Sequence, residues 1–76
     1  MSEWEWLVEF SNNLARMMYE SKFTQKDLAE MSGLSEPTIS KYLNRQQMPG
    51  VKAIINISAA LGCTTDELID FGYMVN

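Results

Sequence analysis

Apolar residues recur along the first part of the chain at the spacing of one helix face. The residues of this stripe are Trp6, Leu7, Phe10, Leu14, Met17 and Met18. Side chains three and four positions apart share a face of an α-helix, whereas a half-buried strand alternates with period two. No run in the chain alternates in that way. The pattern therefore predicts an amphipathic helix over about residues 3–21.

Two helix starts follow the same rule further along the chain. Thr24 precedes Asp27 by three positions, and Thr64 precedes Glu67 by three positions. In each pair the hydroxyl can accept from a free backbone N–H of the first turn. The carboxylate can accept from the N–H of the capping residue. Helices are therefore expected to begin directly after Thr24 and Thr64.

The remaining glycine and proline residues complete an all-α prediction of five short helices. Gly50 precedes another apolar run, over residues 51–61. Gly62 follows that run, at the position where a residue in the left-handed conformation commonly ends a helix. Pro37 fits the first turn of a helix, so either Ser35 or Glu36 is the N-cap there. The predicted helices span about residues 3–21, 24–31, 35–45, 51–61 and 64–71.

The second and third helices are separated by a turn too short for anything but a sharp reversal. Gly33 can take the positive φ that this reversal needs. Ala29 is small where the third helix must cross the second closely. Leu28, Ile39 and Tyr42 are expected to point inward and to hold the two helices at a large crossing angle.

The segment from Thr24 to Asn44 resembles the helix-turn-helix of the Cro and phage-repressor family, the lambda-repressor-like domains. The resemblance covers about residues 14–71, because Pro49, Ala60-Leu61-Gly62 and the segment 64–68 also match the family's pattern. It implies one compact five-helix DNA-binding domain over residues 1–76, with the helix-turn-helix at residues 24–45. It also implies a sequence-specific DNA-binding regulator, most simply a repressor.

The resemblance also implies which residues meet the DNA, since the third helix of the family enters the major groove. The base-contacting residues are predicted to be Glu36, Pro37, Thr38 and Lys41. The phosphate-contacting residues, from the start of the second helix and from the third helix and the loop after it, are predicted to be Thr24, Gln25, Lys26, Ser40, Asn44, Arg45, Gln46 and Gln47. Lys41 suits guanine O6 and N7, and Thr38 or Pro37 suits a thymine methyl group. Glu36 either accepts from cytosine N4 or complements the helix dipole.

The sequence departs from the family's pattern in two ways. Met18 and Leu43 stand where many members pair an arginine with a glutamate, so an apolar contact is expected instead. Arg45 stands where glycine is common. It therefore either adopts the left-handed conformation at some cost or shifts the loop.

The charge is divided along the chain, although its total of −4 is acidic. Residues 22–52 carry five basic and three acidic side chains, whereas residues 1–21 carry one basic and four acidic side chains. Residues 53–76 carry three acidic side chains and no basic one. A positive face on an acidic molecule is possible, with DNA affinity that depends strongly on salt.

The composition excludes several classes of protein. Without histidine and with one cysteine, Cys63, the chain cannot form an internal disulfide, a zinc finger or a histidine-based triad. Cys63 is interpreted as a small buried hydrophobe. Asp66, Glu67 and Asp70 are interpreted as ordinary carboxylates at a helix start. No enzyme activity, metal, cofactor or small-molecule ligand is therefore expected.

The ends of the chain extend beyond the resemblance and are apolar. Trp4, Trp6 and Phe10 precede it, and Tyr73, Met74 and Val75 follow it. They either fold over the core or form a homodimer that binds a palindromic operator. In the family, dimers form through the fourth and fifth helices and the C-terminal tail, and Trp4 and Trp6 are further candidates.

The acidic start and the lack of an 18-residue apolar run indicate a cytoplasmic protein without a membrane segment. The resemblance to a DNA-binding family implies association with the nucleoid. The alternative function is a protein-interaction or antirepressor-like adaptor module that keeps the fold without specific DNA binding. The acidic total and Glu36 support that alternative.

Overall fold

Residues 2–69, the part of the chain that the computed structural model describes, form five α-helices and no β-strand. They are α1 (Glu3–Ser21), α2 (Gln25–Ser32), α3 (Glu36–Leu43), α4 (Val51–Leu61) and α5 (Thr65–Leu68). The all-α, five-helix prediction is confirmed. None of these helices has both the length and the apolar character needed to cross a membrane.

The predicted helix starts are confirmed by their hydrogen bonds. Complete capping boxes join Thr24 to Asp27 and Thr64 to Glu67. At α3 the Ser35 Oγ accepts from the Thr38 N–H at 3.3 Å, so Ser35 rather than Glu36 is the N-cap. Each cap satisfies backbone donors that the helix itself leaves free.

Two helices end earlier than predicted. The third was expected to reach residue 45, but α3 ends at Leu43 because Asn44 and Arg45 leave the helical conformation. The fifth was expected to reach residue 71, but α5 ends at Leu68. There Ile69 is extended, with φ −138° and ψ 143°, and is fully buried.

The core takes buried side chains from all five helices. The α1 helix packs against α3, α4 and α5, while α2 packs between α3 and α4. The fully buried side chains are Phe10, Leu14, Leu28, Ile39, Ile57, Leu68 and Ile69. An aromatic chain links α1 to α3: Trp6 stacks on Phe10 at 5.8 Å between ring centroids, and Phe10 meets the Tyr42 ring edge-on, also at 5.8 Å. This packing fixes α3 against the body of the domain.

The two positions that depart from the family's ion pair are both apolar parts of this core. Met18 is buried, and Leu43 is partly buried and packs against the core. Both side chains thus lie in or against the apolar core, while a direct contact between Met18 and Leu43 stays a prediction.

Candidate nucleic-acid interface

The α3 helix divides its residues between the core and the solvent. Ile39 and Tyr42 are buried, as predicted from the sequence. Pro37, Lys41 and Asn44 are exposed, and their spacing of four and three positions places them in one row on the opposite side. We call Pro37, Lys41 and Asn44 the α3 row.

The start of α3 adds two residues beside this row. Glu36 is exposed in the first turn, where a carboxylate complements the helix dipole. Thr38 is half-buried, and its Oγ1 lies 2.8 Å from the Ser35 Oγ, with either hydroxyl able to donate. The Thr38 hydroxyl is thus engaged within the protein. Ser35 joins the exposed start of α3, although it was not among the predicted contact residues.

The start of α2 presents backbone donors. The first helical hydrogen bond runs from the Leu28 N–H to the Thr24 carbonyl at 3.0 Å, so the amides of Gln25 and Lys26 precede it. Both side chains are exposed. Free amides at a helix N-terminus, next to a lysine, suit an anion such as a phosphate group.

The capping box of α2 also perturbs Asp27. Its Oδ2 accepts from the Thr24 N–H at 2.9 Å, and the Thr24 Oγ1 accepts from the Asp27 N–H at 3.1 Å. Hydrogen bonds to the carboxylate from Thr24, from its backbone N–H first and from its hydroxyl second, lower the pKa of the Asp27 carboxyl below its ordinary value. Asp27 is therefore a structural carboxylate that holds the start of α2.

The loop after α3 places its predicted contact residues in different surroundings. The Asn44 Nδ2 donates to the Ser40 carbonyl at 2.9 Å and to the Ser40 Oγ at 3.2 Å. Gln46 and Gln47 are exposed. Arg45 is half-buried and turns toward α1, where its Nε donates to the Ser11 Oγ at 2.8 Å. The guanidinium thus lies on another helix of the same domain.

The structure therefore brings the predicted residues together on packed elements, the start of α2, α3 and the loop after it. The partners of Arg45 on α1, Ser11 and Asn12, were missed. The signal that could have found them is the polar run Ser11-Asn12-Asn13, which interrupts the apolar stripe of the first helix.

Cys63 lies away from these elements, between α4 and α5. It is half-buried rather than fully buried, and its thiol donates to the Met17 sulfur at 3.8 Å. Burial, with a smaller contribution from the Glu67 carboxylate, raises the pKa of the thiol. A raised pKa disfavours the reactive thiolate, which supports a packing role for Cys63.

Comparison with known proteins gives similar helix-turn-helix chains. Residues 14–68 match the family profile described as helix-turn-helix (HTH_3). The uncharacterized HTH-type transcriptional regulator YqaE of Bacillus subtilis is 33% identical over 60 residues, which are 79% of this chain and 52% of that protein. The chain thus spans about half the length of this curated relative.

Two solved structures share the fold. The restriction-modification controller protein C.AhdI from Aeromonas hydrophila superposes with a TM-score of 0.80 at 25% identity, over 83% of this chain and 96% of that chain. The hypothetical transcription factor NHTF from Neisseria has a TM-score of 0.82 at 20% identity, over 91% of this chain and 79% of that chain. The second likeness concerns the fold alone.

Proposed function

Because the chain belongs to the helix-turn-helix family of DNA-binding domains, we propose that it is a transcriptional regulator that binds double-stranded DNA sequence-specifically. The observation that carries this proposal is the α3 row, exposed opposite the buried Ile39 and Tyr42. A helix held in this way can lie in the major groove with its N-terminal side chains toward the base edges. Repression is the simplest regulatory outcome, since it requires only that the protein occupy its DNA site.

We assign base reading to Glu36, Pro37, Thr38 and Lys41. Lys41, exposed in the middle of the α3 row, donates to guanine O6 or N7. Pro37 offers apolar contact to a thymine methyl group. Thr38 contributes its methyl group as a second apolar contact for a thymine methyl group, while its Oγ1 lies within hydrogen-bond distance of the Ser35 Oγ. Glu36 either accepts from cytosine N4 or serves the helix dipole alone.

Phosphate contacts come from both sides of the α3 row. Gln25 and Lys26 supply free amides and one positive charge at the start of α2, beside the exposed Thr24, whose own N–H is bonded to Asp27. Ser40, Asn44, Gln46 and Gln47 supply neutral hydrogen-bonding groups at the end of α3 and in the loop after it. Since this set carries one positive side chain, affinity will be modest, and each charge that meets a phosphate will add about 0.9 to the steepness of log K against log salt.

We propose that the protein binds as a homodimer through α4 and α5. Val51 and Ile55 on α4 are 74% and 52% exposed and lie one turn apart, which makes an apolar strip on the outer face of α4. The C-terminal tail of the predicted interface lies outside the described residues. Of the two tryptophans, Trp4 is exposed, but Trp6 is buried in the core and is unsuited to an intersubunit contact. A symmetric dimer would read half-sites about 34 Å apart in an inverted repeat.

The test is selection of bound duplexes from a random DNA pool, at low and at near-physiological salt. We expect enrichment of an inverted repeat. Binding without enrichment would mean electrostatic attraction alone. No binding at either salt would overturn the proposal and favour the adaptor function.

Lys41→Ala gives the residue-level version of this test. Its expected effect is a loss of preference at one base pair per half-site, worth about 1–3 kcal/mol. Lys52→Ala is the matched control, because it removes an exposed lysine of the same charge from α4. An unchanged sequence preference in Lys41→Ala would contradict the assignment.

A further inference from the structure

Arg45 has an unusual backbone and an unusual destination for its side chain. Its φ is +58°, in the left-handed region that favours glycine. Its N–H donates to the Tyr42 carbonyl at 3.2 Å, and the N–H of Gln46 donates to the Lys41 carbonyl at 2.8 Å. These bonds close the end of α3 and turn the chain sharply.

The guanidinium meets two adjacent residues of α1. Its Nε donates to the Ser11 Oγ at 2.8 Å, and its Nη2 donates to the Asn12 Oδ1 at 2.8 Å. Ser11 is 2% exposed, and its hydroxyl donates in turn to the Val8 carbonyl at 3.0 Å. The buried Ser11 hydroxyl therefore donates its proton to a carbonyl of α1, and one of its lone pairs accepts from Arg45. This satisfied pair fixes the direction of the Arg45 side chain.

Both partners lie outside the matched helix-turn-helix segment, which begins at residue 14. The part of α1 before that segment thus reaches the loop that follows α3. We call the contact of Arg45 with Ser11 and Asn12 the loop tie. Since neither partner is charged, the tie holds the guanidinium by geometry and leaves its positive charge uncompensated.

We propose that Arg45 is a positioning residue for DNA recognition and not a phosphate contact. The loop tie sets the path of the loop that follows Asn44, and so places Gln46 and Gln47 relative to the α3 row. This inference rests on the proposed function and revises the role that the family resemblance implies for Arg45.

The first test is a double-mutant cycle in unfolding by urea. Arg45→Gly keeps the left-handed backbone without strain and removes the tie, while Asn12→Ala removes one partner from an exposed position. We expect Asn12→Ala to lower the folding equilibrium constant, by up to about tenfold for a hydrogen bond to a charged group. In Arg45→Gly the loss of the tie is offset by relief of the left-handed strain at Arg45, so the coupling between the two variants is the readout. We also expect Arg45→Gly to cost less in the Asn12→Ala background. If the effects of the two substitutions on the free energy of unfolding are additive, Arg45 and Asn12 are not coupled and the proposed loop tie is overturned.

The second test measures binding to a random-sequence duplex over a range of salt. We expect Arg45→Gly and Asn12→Ala to weaken binding by similar factors, with the slope of log K against log salt unchanged. Lys26→Ala is the control for a phosphate contact and should reduce that slope by about 0.9. If Arg45→Gly reduces the slope in the same way and Asn12→Ala does not weaken binding, Arg45 contacts phosphate and the proposal is wrong.

The two tests separate the inference from the function on which it rests. If the unaltered protein binds no duplex at any salt, the proposed function fails, and the role of the tie in recognition fails with it. The double-mutant cycle in urea would still show whether Arg45 and Asn12 are coupled in the folded protein. If the protein binds DNA but the cycle is additive, the function stands and the positioning role of Arg45 is overturned.

Discussion

At the scale of single residues, short polar side chains begin most of the helices. Thr24, Ser35 and Thr64 cap three helices through their hydroxyl groups. Gly50 begins α4 without a side-chain cap. These residues act within three positions of themselves, so local sequence was enough to identify Thr24, Gly50 and Thr64, although it left Ser35 and Glu36 as alternatives at α3.

The capping carboxylate of Asp27 makes the stability of the fold depend on pH. Because the Asp27 pKa is lower in the folded protein than in the unfolded chain, its ionised form stabilises the fold above the unfolded pKa. We expect that contribution to be lost as the pH falls through the folded pKa. Carboxyl carbon chemical shifts measured against pH would give the pKa directly.

Thr24→Ala is the control for this prediction, because it removes the hydroxyl that bonds to Asp27 and leaves the carboxylate in place. The Asp27 pKa should then rise toward its ordinary value. An equal pKa in both proteins would show that the hydroxyl has no part in the shift.

The thiol of Cys63 should react slowly with a disulfide reagent at mildly alkaline pH. Burial and, secondarily, the Glu67 carboxylate raise its pKa, and the thiolate is the reacting species. We expect a lower rate than in the urea-unfolded protein, followed by absorbance. Glu67→Gln keeps a residue suited to the capping box but removes the negative charge, so it should speed the reaction. A rate that falls in this variant would contradict the prediction.

At the scale of elements, the turn between α2 and α3 decides how the α3 row is presented. Gly33 has φ +75°, and its N–H donates to the Ala29 carbonyl at 3.0 Å. The Ser32 hydroxyl donates to the same carbonyl at 3.4 Å and accepts from the Leu34 N–H at 3.3 Å. The turn is therefore held by backbone geometry together with one buried hydroxyl.

Gly33→Ala should destabilise the fold by about 1–2 kcal/mol, the cost of a side chain in the left-handed region. A Cβ at Gly33 would meet nothing within 4 Å, so the cost comes from the backbone alone. Gly50 has equally open surroundings but a φ of −79°, so Gly50→Ser should be neutral or stabilising by a few tenths of a kcal/mol. Urea unfolding of both variants checks the contrast, and equal effects would refute it.

The third and fifth helices show where local patterns stop being sufficient. The sequence around residues 43–45 left open whether Arg45 adopts the left-handed conformation or shifts the loop. The structure shows the left-handed conformation, with the side chain held by α1. At α5 the Asn13 Nδ2 donates to the Leu68 carbonyl at 2.9 Å across 55 positions of sequence. Such distant partners have no local signal.

At the scale of the whole molecule, the division of charge follows the fold. The basic segment 22–52 contains α2, α3 and the loop after it, while the acidic segments contain α1 and α5. Although the domain is acidic overall, it can therefore turn its least acidic elements toward DNA. Its net negative charge weakens nonspecific attraction to polyanions.

Ile55→Glu tests the proposed dimer. A carboxylate in the apolar strip of α4 should shift the protein to monomer and weaken binding to an inverted repeat more than to a single half-site. Sedimentation at several concentrations measures the first effect. Tyr19→Glu is the control, because Tyr19 is 85% exposed on α1 and should leave the association unchanged. A dimer that survives Ile55→Glu would exclude the α4 strip as the interface.

The sequence by itself determined the number, order and starts of the helices, the buried faces of α1 and α3, and the family resemblance. These features depend on periodicity and on side chains that act within one turn, so a linear pattern records them. The tertiary structure decided where α3 and α5 end, that Trp6 is buried while Trp4 is exposed, and that Arg45 turns toward α1. Those outcomes depend on groups far apart in the chain, whose contacts form only when the helices pack.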